Sequence, residues 1–169
     1  MNAPLGTKDR PWRARVSLIS GEATNTITAG QPVCLLNTDP SKVVLPSSSG
    51  GVVFASPLFA GISANTVTPG NAVEIVAGGY VARAKFLQRT RTGSGASWAS
   101  ADSVAAGGLC SIDTVNNCMA FSAAGAASLA SPACVLLESV SSVSGIASST
   151  SDTSTASFAN VKVWVRALM

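Results

Sequence analysis

The sequence contains no histidine, and charged residues make up only 11% of it. Without histidine, the Ser-His-Asp and Cys-His nucleophile systems lose their general base. The eight acidic residues stand singly along the chain, so a pair of catalytic carboxylates could form only through folding. No Ser-x-x-Lys motif is present either. These absences predict a protein that is not an enzyme and that uses no cofactor.

Aromatic residues are also scarce, at 5%, and long apolar runs are missing. The longest apolar stretch, Gly51 to Ile62, is interrupted by Ser56 and Pro57. It is shorter than the roughly 18 residues that a membrane helix needs. The first fifteen residues contain no apolar segment of the kind found in secretory signals. We therefore expect a soluble chain that is made in the cytoplasm and has no membrane partner.

Four cysteines are present, and none belongs to a C-x-x-C pair of the kind that indicates zinc. Cys110 and Cys118 flank Asp113 to Asn117, which we interpret as a hairpin loop that places the two thiols nearly opposite each other. Cytosolic synthesis favours reduced thiols, and a buried free cysteine is a common small core residue. The sequence leaves open whether Cys110 and Cys118 are bonded.

One phrase occurs twice, forty residues apart, as Asn25–Val33 and Asn65–Val73. Each copy begins with a β-branched run, Thr-Ile-Thr or Thr-Val-Thr, which favours an extended strand. Ala29-Gly30 in the first copy and Pro69-Gly70 in the second then predict a type II turn, in which glycine supplies the positive φ. The sequence therefore predicts a strand-turn-strand unit that is used twice.

Alternating apolar and polar residues predict further strands and an all-β fold. The clearest case lies near the carboxyl terminus, where three valines alternate with larger side chains in Val161-Lys162-Val163-Trp164-Val165-Arg166. We interpret Gly78-Gly79 as the tight turn of a hairpin whose strands include Val76 and Tyr80. We divide the chain into an extended basic arm, residues 1–15, and a single β-domain, residues 16–169. Residues 92–160 of that domain are rich in Ala, Ser and Gly.

Positive charge is concentrated at two places, although the net charge is only +3. We interpret the arm as a docking segment for an acidic partner surface, through Lys8, Arg10, Trp12, Arg13 and Arg15. A solvated tail is one alternative, and nucleic-acid binding, which needs a broader basic face with stacking aromatics, is another.

The second basic cluster, Arg83, Lys85, Arg89 and Arg91, predicts a solvated strand edge. Trp164 is large and apolar but stands between Lys162 and Arg166. We interpret Trp164 either as a lid over the Ala-rich half or as a subunit contact.

Residues 25–84 resemble the capsid decoration proteins, or cement proteins, of tailed phages. The likeness rests on the two glycine turns and on a set of strand fragments, Phe59-Ala60-Gly61-Ile62-Ser63, Val73, Ile75 and Gly79-Tyr80-Val81. The resemblance implies a small antiparallel β-barrel or tulip-like domain, with a jelly-roll-like sandwich as the alternative. It also implies a homotrimer on the exterior of the virion, with no direct contact to nucleic acid. Such a protein binds the major capsid protein, partly through its basic arm, and stabilises the expanded shell by bridging capsomers.

A receptor-binding β-module of a phage tail fibre or spike is the alternative function, since it shares the Ser-, Thr- and Gly-rich composition. Such a module should expose aromatic side chains for stacking on saccharides, and Trp98 is the only tryptophan away from the two chain ends. A carbohydrate-binding domain of a secreted protein is a third interpretation, which the missing signal segment disfavours.

Overall fold

The computed structural model describes residues 13–48, 59–87, 101–113, 116–121, 133–143 and 158–166. Within these residues the protein is all-β, with one short 3-10 turn at Pro46–Ser48 and no α-helix, which confirms the predicted fold class. The strands are β1 Arg13–Ser20, β2 Pro32–Leu36, β3 Asp39–Val44, β4 Phe59–Ser63, β5 Ala72–Leu87, β6 Ala101–Val104, β7 Leu109–Asp113, β8 Cys118–Phe121, β9 Cys134–Leu136, β10 Val140–Val143 and β11 Phe158–Val165.

The 16-residue strand β5 organises the main sheet, because different strands pair with its two halves. The first half pairs with β1 and β4, and the second half pairs with β11 and β8. Gly79 lies opposite both Arg13 of β1 and Val165 of β11, so these two strands occupy opposite edges of β5. A strand that is paired along both edges is a central element of the fold.

The strand pairings close two circuits that share β5. One circuit runs through β1, β3, β2, β4 and β5, and the other through β5, β11, β9, β7 and β8. The closing contacts are short, with two residue pairs between β1 and β3 and one between β5 and β8. The predicted barrel therefore corresponds only loosely to this arrangement. Strands β6 and β10 form a separate two-stranded sheet.

Each circuit has its own hydrophobic core. The first core contains six buried residues, Ile27, Val33, Val43, Leu45, Val73 and Ile75. The second core is larger and is centred on Phe86, Met119, Leu136 and Val163, all of which are 0% exposed. Phe59 and Ile62 of β4 and Val76 of β5 pack into this second core, so strands of the first circuit contribute to both.

The carboxyl-terminal strand has the alternation that the sequence predicts. Val161, Val163 and Val165 are buried in the second core, whereas Lys162 and Trp164 are exposed. Strand β11 is paired on both sides, with β5 and with β9. These pairings and the buried valines hold this end of the chain in the sheet.

The prediction of a hairpin turn at Gly78-Gly79 is wrong. Strand β5 runs without interruption through both glycines. Gly79 has a φ of 93°, and the register with β1 shifts next to the glycine pair, because Ala14 is opposite Gly78 but Arg15 is opposite Val76. A glycine at positive φ beside a register shift indicates a β-bulge, which bends a strand without reversing it. The glycine pair therefore allows one long strand, β5, to bend and to pair with strands of both circuits.

The two copies of the repeat form the same turn, as predicted. Gly30 and Gly70 have φ values of 89° and 78°. The turns close with equivalent hydrogen bonds, from the Gln31 N–H to the Thr28 carbonyl at 3.2 Å and from the Asn71 N–H to the Thr68 carbonyl at 3.3 Å.

The copies also pair with each other, because Ile27 and Val67 form an isolated antiparallel bridge with hydrogen bonds of 3.0 and 2.8 Å. Ser63, which ends the strand before the second copy, accepts from Gly30 N–H at 2.8 Å and donates to Gln31 at 2.9 Å. Ser20, which ends the strand before the first copy, makes the matching bonds with Gly70 and Asn71 at 3.1 and 2.9 Å. Each turn is therefore held by the strand that leads into the other copy.

Candidate binding surface

A row of apolar side chains crosses four strands on the outward face of β11. Trp164 lies opposite Tyr80 of β5 on one side and Val135 of β9 on the other, and Val135 lies opposite Leu109 of β7. Directly opposed residues of neighbouring strands place their side chains on the same face of a sheet. We call Leu109, Val135, Trp164 and Tyr80 the aromatic row. Trp164 is 40% exposed and Leu109 is 44% exposed.

Positively charged side chains flank the aromatic row. The guanidinium of Arg13 lies 5.5 Å from the centre of the Tyr80 ring. Arg166, two residues beyond Trp164, is exposed, and its backbone N–H donates to the Ala133 carbonyl at 3.1 Å. A cation within about 6 Å of an aromatic face is attracted by the ring quadrupole, so Arg13 is held over Tyr80.

Further along β11, a second cation lies over an aromatic ring. The Lys85 ammonium is 4.1 Å from the centre of the Phe158 ring, and it also donates to the Asn116 carbonyl at 3.3 Å. Phe158 is 42% exposed. The outward side of β5 and β11 therefore combines aromatic rings with cations at two separate places.

Two ion pairs neutralise part of the charge near this surface. Lys162 lies 3.1 Å from Glu138, and Arg15 lies 3.2 Å from Glu74. The backbone N–H and ammonium of Lys162 lower the pKa of Glu138, and Glu138 raises the pKa of Lys162. Among the residues that the structure describes, no carboxylate lies within 4.0 Å of Arg13, Arg83 or Arg166. The aromatic row is thus bordered by uncompensated positive charge.

The structure brings together two of the predicted site residues, Arg13 and Trp164, which lie on either side of Tyr80. Arg15 lies in β1 and pairs with Glu74. Lys8, Arg10 and Trp12 lie outside the described residues, as does Trp98. Strand β1 begins at Arg13, within the range that we assigned to the arm, because β5 provides backbone partners as far as Gly79.

The rest of the row was missed from the sequence. The alternating pattern around Tyr80 and Trp164 indicates that both side chains point away from the core, but it does not show that they are neighbours. The prediction for the second basic cluster is wrong for Arg83 and Lys85. These residues lie in β5, where Lys85 is opposite Asn160 of β11 on one edge and its N–H donates to the Gly30 carbonyl at 2.8 Å. They are on a central strand, whereas Arg89 and Arg91 lie outside the described residues.

All four cysteines are buried, and none of them forms a disulfide in this structure. Burial raises the pKa of Cys34 and of Cys110 to about 12, and raises that of Cys134 well above its usual value. These thiols are therefore protonated at neutral pH, and a thiol reacts as a nucleophile only after it loses its proton. They do not supply an activated nucleophile in the folded state.

The expectation that Cys110 and Cys118 lie nearly opposite each other is wrong. Strands β7 and β8 do form the predicted hairpin, but Asp113, which we assigned to the loop, is paired with Cys118, and Cys110 is paired with Phe121. Cys118 is thus three positions from the partner of Cys110. An odd offset places the two side chains on opposite faces of the sheet. Accordingly, Cys110 belongs to the second core, whereas Cys118 packs with Leu87 and Ala120.

An open pocket of about 260 Å³ is formed by strands of the first circuit. Its lining residues come from β1, β2, β4 and β5 and all have apolar side chains, with Leu18, Leu35 and Phe59 among them. Such a lining provides shape and apolar contact but no group for proton transfer. The pocket therefore adds no catalytic candidate to the aromatic row.

The described residues contain no group of three or more His, Cys, Asp or Glu side chains that could hold a metal ion. No helix among them is long and apolar enough to cross a membrane. No family model matches the chain, and neither a curated protein nor a solved structure matches it.

Proposed function

We propose that this protein is a structural component of a phage virion that binds the capsid exterior and stabilises the expanded shell by bridging capsomers. The observation that carries the proposal is the aromatic row with its flanking cations Arg13 and Arg166. Trp, Tyr and Arg are the residues that most often supply the binding energy of protein interfaces. The chain also resembles decoration proteins over residues 25–84.

The partner in this proposal is the major capsid protein, through a surface that offers an apolar patch edged by carboxylates. Trp164 and Tyr80 would be covered on binding, and Arg13 and Arg166 would find the counter-charges that the described part of the chain does not provide. A protein that binds the expanded shell better than the unexpanded one shifts the equilibrium towards expansion by its differential affinity.

A homotrimer is the assembly that we propose for this role. Three copies that bind together convert the second and third attachments into local events, which multiplies a modest affinity for each site. Sedimentation or light scattering of the purified protein measures the mass directly. A monomer at the concentrations that saturate capsids would exclude this part of the proposal.

Substitution of Trp164 tests the proposed docking surface. We expect Trp164→Ala to weaken binding to undecorated expanded capsids by at least about tenfold, because hot-spot residues contribute about 2 kcal/mol or more. Its melting temperature should change little, since the side chain is outside the core. Ile19→Ala is the matched control, because Ile19 is 42% exposed and lies in β1, outside the aromatic row. Equal affinity of the two variants would exclude Trp164 from the docking surface.

The basic arm requires a separate test. Because β1 begins at Arg13, the truncation should remove only residues 1–12 and restore an initiating methionine. We expect a folded protein with lower affinity for capsids and weaker dependence of that affinity on salt, since screening acts on the exposed charges that were lost. The double variant Lys8→Gln/Arg10→Gln separates charge from length. Unchanged affinity of the truncated protein would remove the arm from the docking mechanism.

One observation favours the alternative of a receptor-binding module. Trp164 and Tyr80 are neighbouring aromatic side chains on an outward face, and saccharide rings stack on such surfaces. Binding of the wild-type protein to host-surface polysaccharide, lost in Trp164→Ala, would support this alternative. Binding to expanded capsids but not to polysaccharide would support the decoration function.

A further inference from the structure

Two of the four cysteines face each other across neighbouring strands. Cys110 of β7 is directly opposite Cys134 of β9 in an antiparallel pair. Both side chains are 0% exposed and belong to the same core. The other two cysteines have different partners, since Cys34 lies opposite Val44 and Phe59, and Cys118 lies opposite Asp113.

Opposed residues in antiparallel strands have Cα atoms about 4.5–5.5 Å apart, which is within the range of about 4.4–6.8 Å that a disulfide spans. Their Cβ atoms are about 4.5–5.5 Å apart, whereas a disulfide needs about 3.5–4.5 Å. Closing the bond thus requires an approach on the order of 1 Å. The strand pairing is irregular at this point, because the Ala133 N–H also donates to the Cys110 carbonyl at 2.9 Å. An irregular pairing allows the two strands to shift slightly relative to each other.

We propose that Cys110 and Cys134 form a reversible intramolecular disulfide when the protein meets an oxidising thiol-disulfide buffer. The inference rests on the strand register and does not depend on the proposed function. The oxidant is a low-molecular-weight disulfide such as glutathione disulfide. The thiolate of one cysteine attacks it, forming a mixed disulfide and releasing one glutathione. The second cysteine then displaces the other glutathione, so two protein thiols are oxidised and one glutathione disulfide is reduced to two thiols.

The reduced pair is protected kinetically by its burial. Exchange requires a thiolate with access to the oxidant. Burial raises the pKa of Cys110 to about 12 and raises the pKa of Cys134 well above its usual value. A charge on Cys110 also raises the pKa of Cys134, as expected for two close thiols. The bond therefore forms when β7 and β9 separate transiently, and conditions that loosen this pair should accelerate it.

The closed bond would join β7 directly to its neighbour β9 and would enclose the chain segment that contains β8. Because it restricts the unfolded chain, we expect the oxidised protein to melt about 5–10 °C higher than the reduced protein. The approach that the bond requires stores strain, which makes a disulfide easier to reduce. Reduced glutathione should therefore reopen it once the strands separate.

The experiment uses the full chain, refolded from urea in a glutathione redox buffer at mildly alkaline pH, with the remaining thiols alkylated afterwards. Trypsin is unsuitable, because the sequence has no lysine or arginine between Arg91 and Lys162 and all three cysteines of this region would stay in one peptide. Cleavage before Asp113 and after Phe121 separates Cys110, Cys118 and Cys134. We expect one cross-linked peptide pair, containing Cys110 and Cys134, and we expect the cross-link to lie within a single chain.

Single-cysteine variants distinguish a specific bond between Cys110 and Cys134 from random oxidation of the four cysteines. Cys118→Ala and Cys34→Ala should retain the cross-link and the higher melting temperature, whereas Cys110→Ala and Cys134→Ala should each lose both. Reduced glutathione added with a low concentration of urea should return the wild-type protein to its reduced melting temperature. A cross-link between Cys110 and Cys118, or no intramolecular cross-link after refolding under oxidising conditions, would overturn the proposal.

Discussion

The two copies of the repeated turn have the same backbone but different surroundings. In the first copy, a Cβ added to Gly30 would lie 2.5 Å from the carbonyl oxygen of Arg83, in the central strand β5. In the second copy, a Cβ added to Gly70 would meet nothing within 4 Å. Gly30 also accepts a hydrogen bond of 2.8 Å from the Lys85 N–H. The first turn is therefore packed against the sheet, and the second is open.

This difference shows that glycine is needed at the two turns for two different reasons, which the sequence alone does not distinguish. Both turns need a residue that tolerates positive φ, and the Thr-x-Gly pattern expresses that need in both copies. Only the first turn needs glycine for a close approach between two backbone segments. The local sequence thus determines the shape of each turn, whereas the packing around the turn determines how much a side chain at the glycine position destabilises the fold.

Gly30→Val should have the largest effect. We expect it to lower the free energy of unfolding by about 3–5 kcal/mol, since the strain of positive φ adds to displacement of the β5 backbone. Urea denaturation monitored by circular dichroism measures the change. Gly30→Ala serves as the milder companion, because it places the same Cβ against Arg83 without a branched side chain. A loss below about 1 kcal/mol for Gly30→Val would mean that the turn moves freely away from β5.

Glu22→Ala should be the next most destabilising change. This buried carboxylate, 6% exposed, leads into the first copy. It accepts hydrogen bonds from the Leu45 N–H at 2.6 Å and from the Asn25 side chain at 3.0 Å. Hydrogen bonds to a charged group contribute about 1.5–3 kcal/mol, and removing Glu22 leaves a buried N–H without its acceptor. We therefore expect a loss of about 2–3 kcal/mol in denaturation experiments.

Asn65→Ala provides a contrast to Glu22→Ala, because Asn65 begins the second copy and Glu22 lies just before the first. The Asn65 side chain accepts from the Glu74 N–H at 2.9 Å and donates to the Ala72 carbonyl at 3.2 Å. These bonds are neutral and exposed, so water can replace them, and we expect a loss of about 0.5–1.5 kcal/mol. Equal losses for Asn65→Ala and Glu22→Ala would show that the charge and burial of Glu22 add nothing to the strength of its hydrogen bonds.

Much of the fold could be predicted from local pattern, but little of the candidate surface could. The repeated turns and the alternating strand at Val161 to Val165 are short-range features, and both are confirmed. The surface depends on which strands are neighbours, because Leu109, Tyr80 and Trp164 meet only through the register of four strands. Gly78-Gly79 shows the same limit, since a glycine pair permits a turn or a bulge and only the partner strands decide between them.

Gly70→Val should be clearly less destabilising than Gly30→Val. The structure shows open space around Gly70, so a side chain there meets only the strain of positive φ. We expect a loss of about 1–2 kcal/mol, measured under the conditions used for Gly30→Val. A loss as large as that at Gly30 would mean that positive φ, and not the contact with β5, accounts for the cost at both turns.

Substitutions at the residue before each glycine should have the smallest effect on the free energy of unfolding. The first copy has Ala29 where the second has Pro69, and proline at this turn position restricts the unfolded chain. Pro69→Ala should therefore lower the free energy of unfolding by about 0.5–1 kcal/mol. Ala29→Pro should not give the opposite gain, because the Ala29 N–H donates to the Thr66 hydroxyl at 3.1 Å and proline has no N–H. The loss of that bond offsets the entropic gain, so we expect a change within about 0.5 kcal/mol. A gain for Ala29→Pro equal to the loss for Pro69→Ala would show that the bond to Thr66 contributes nothing and that the two turns differ only at glycine.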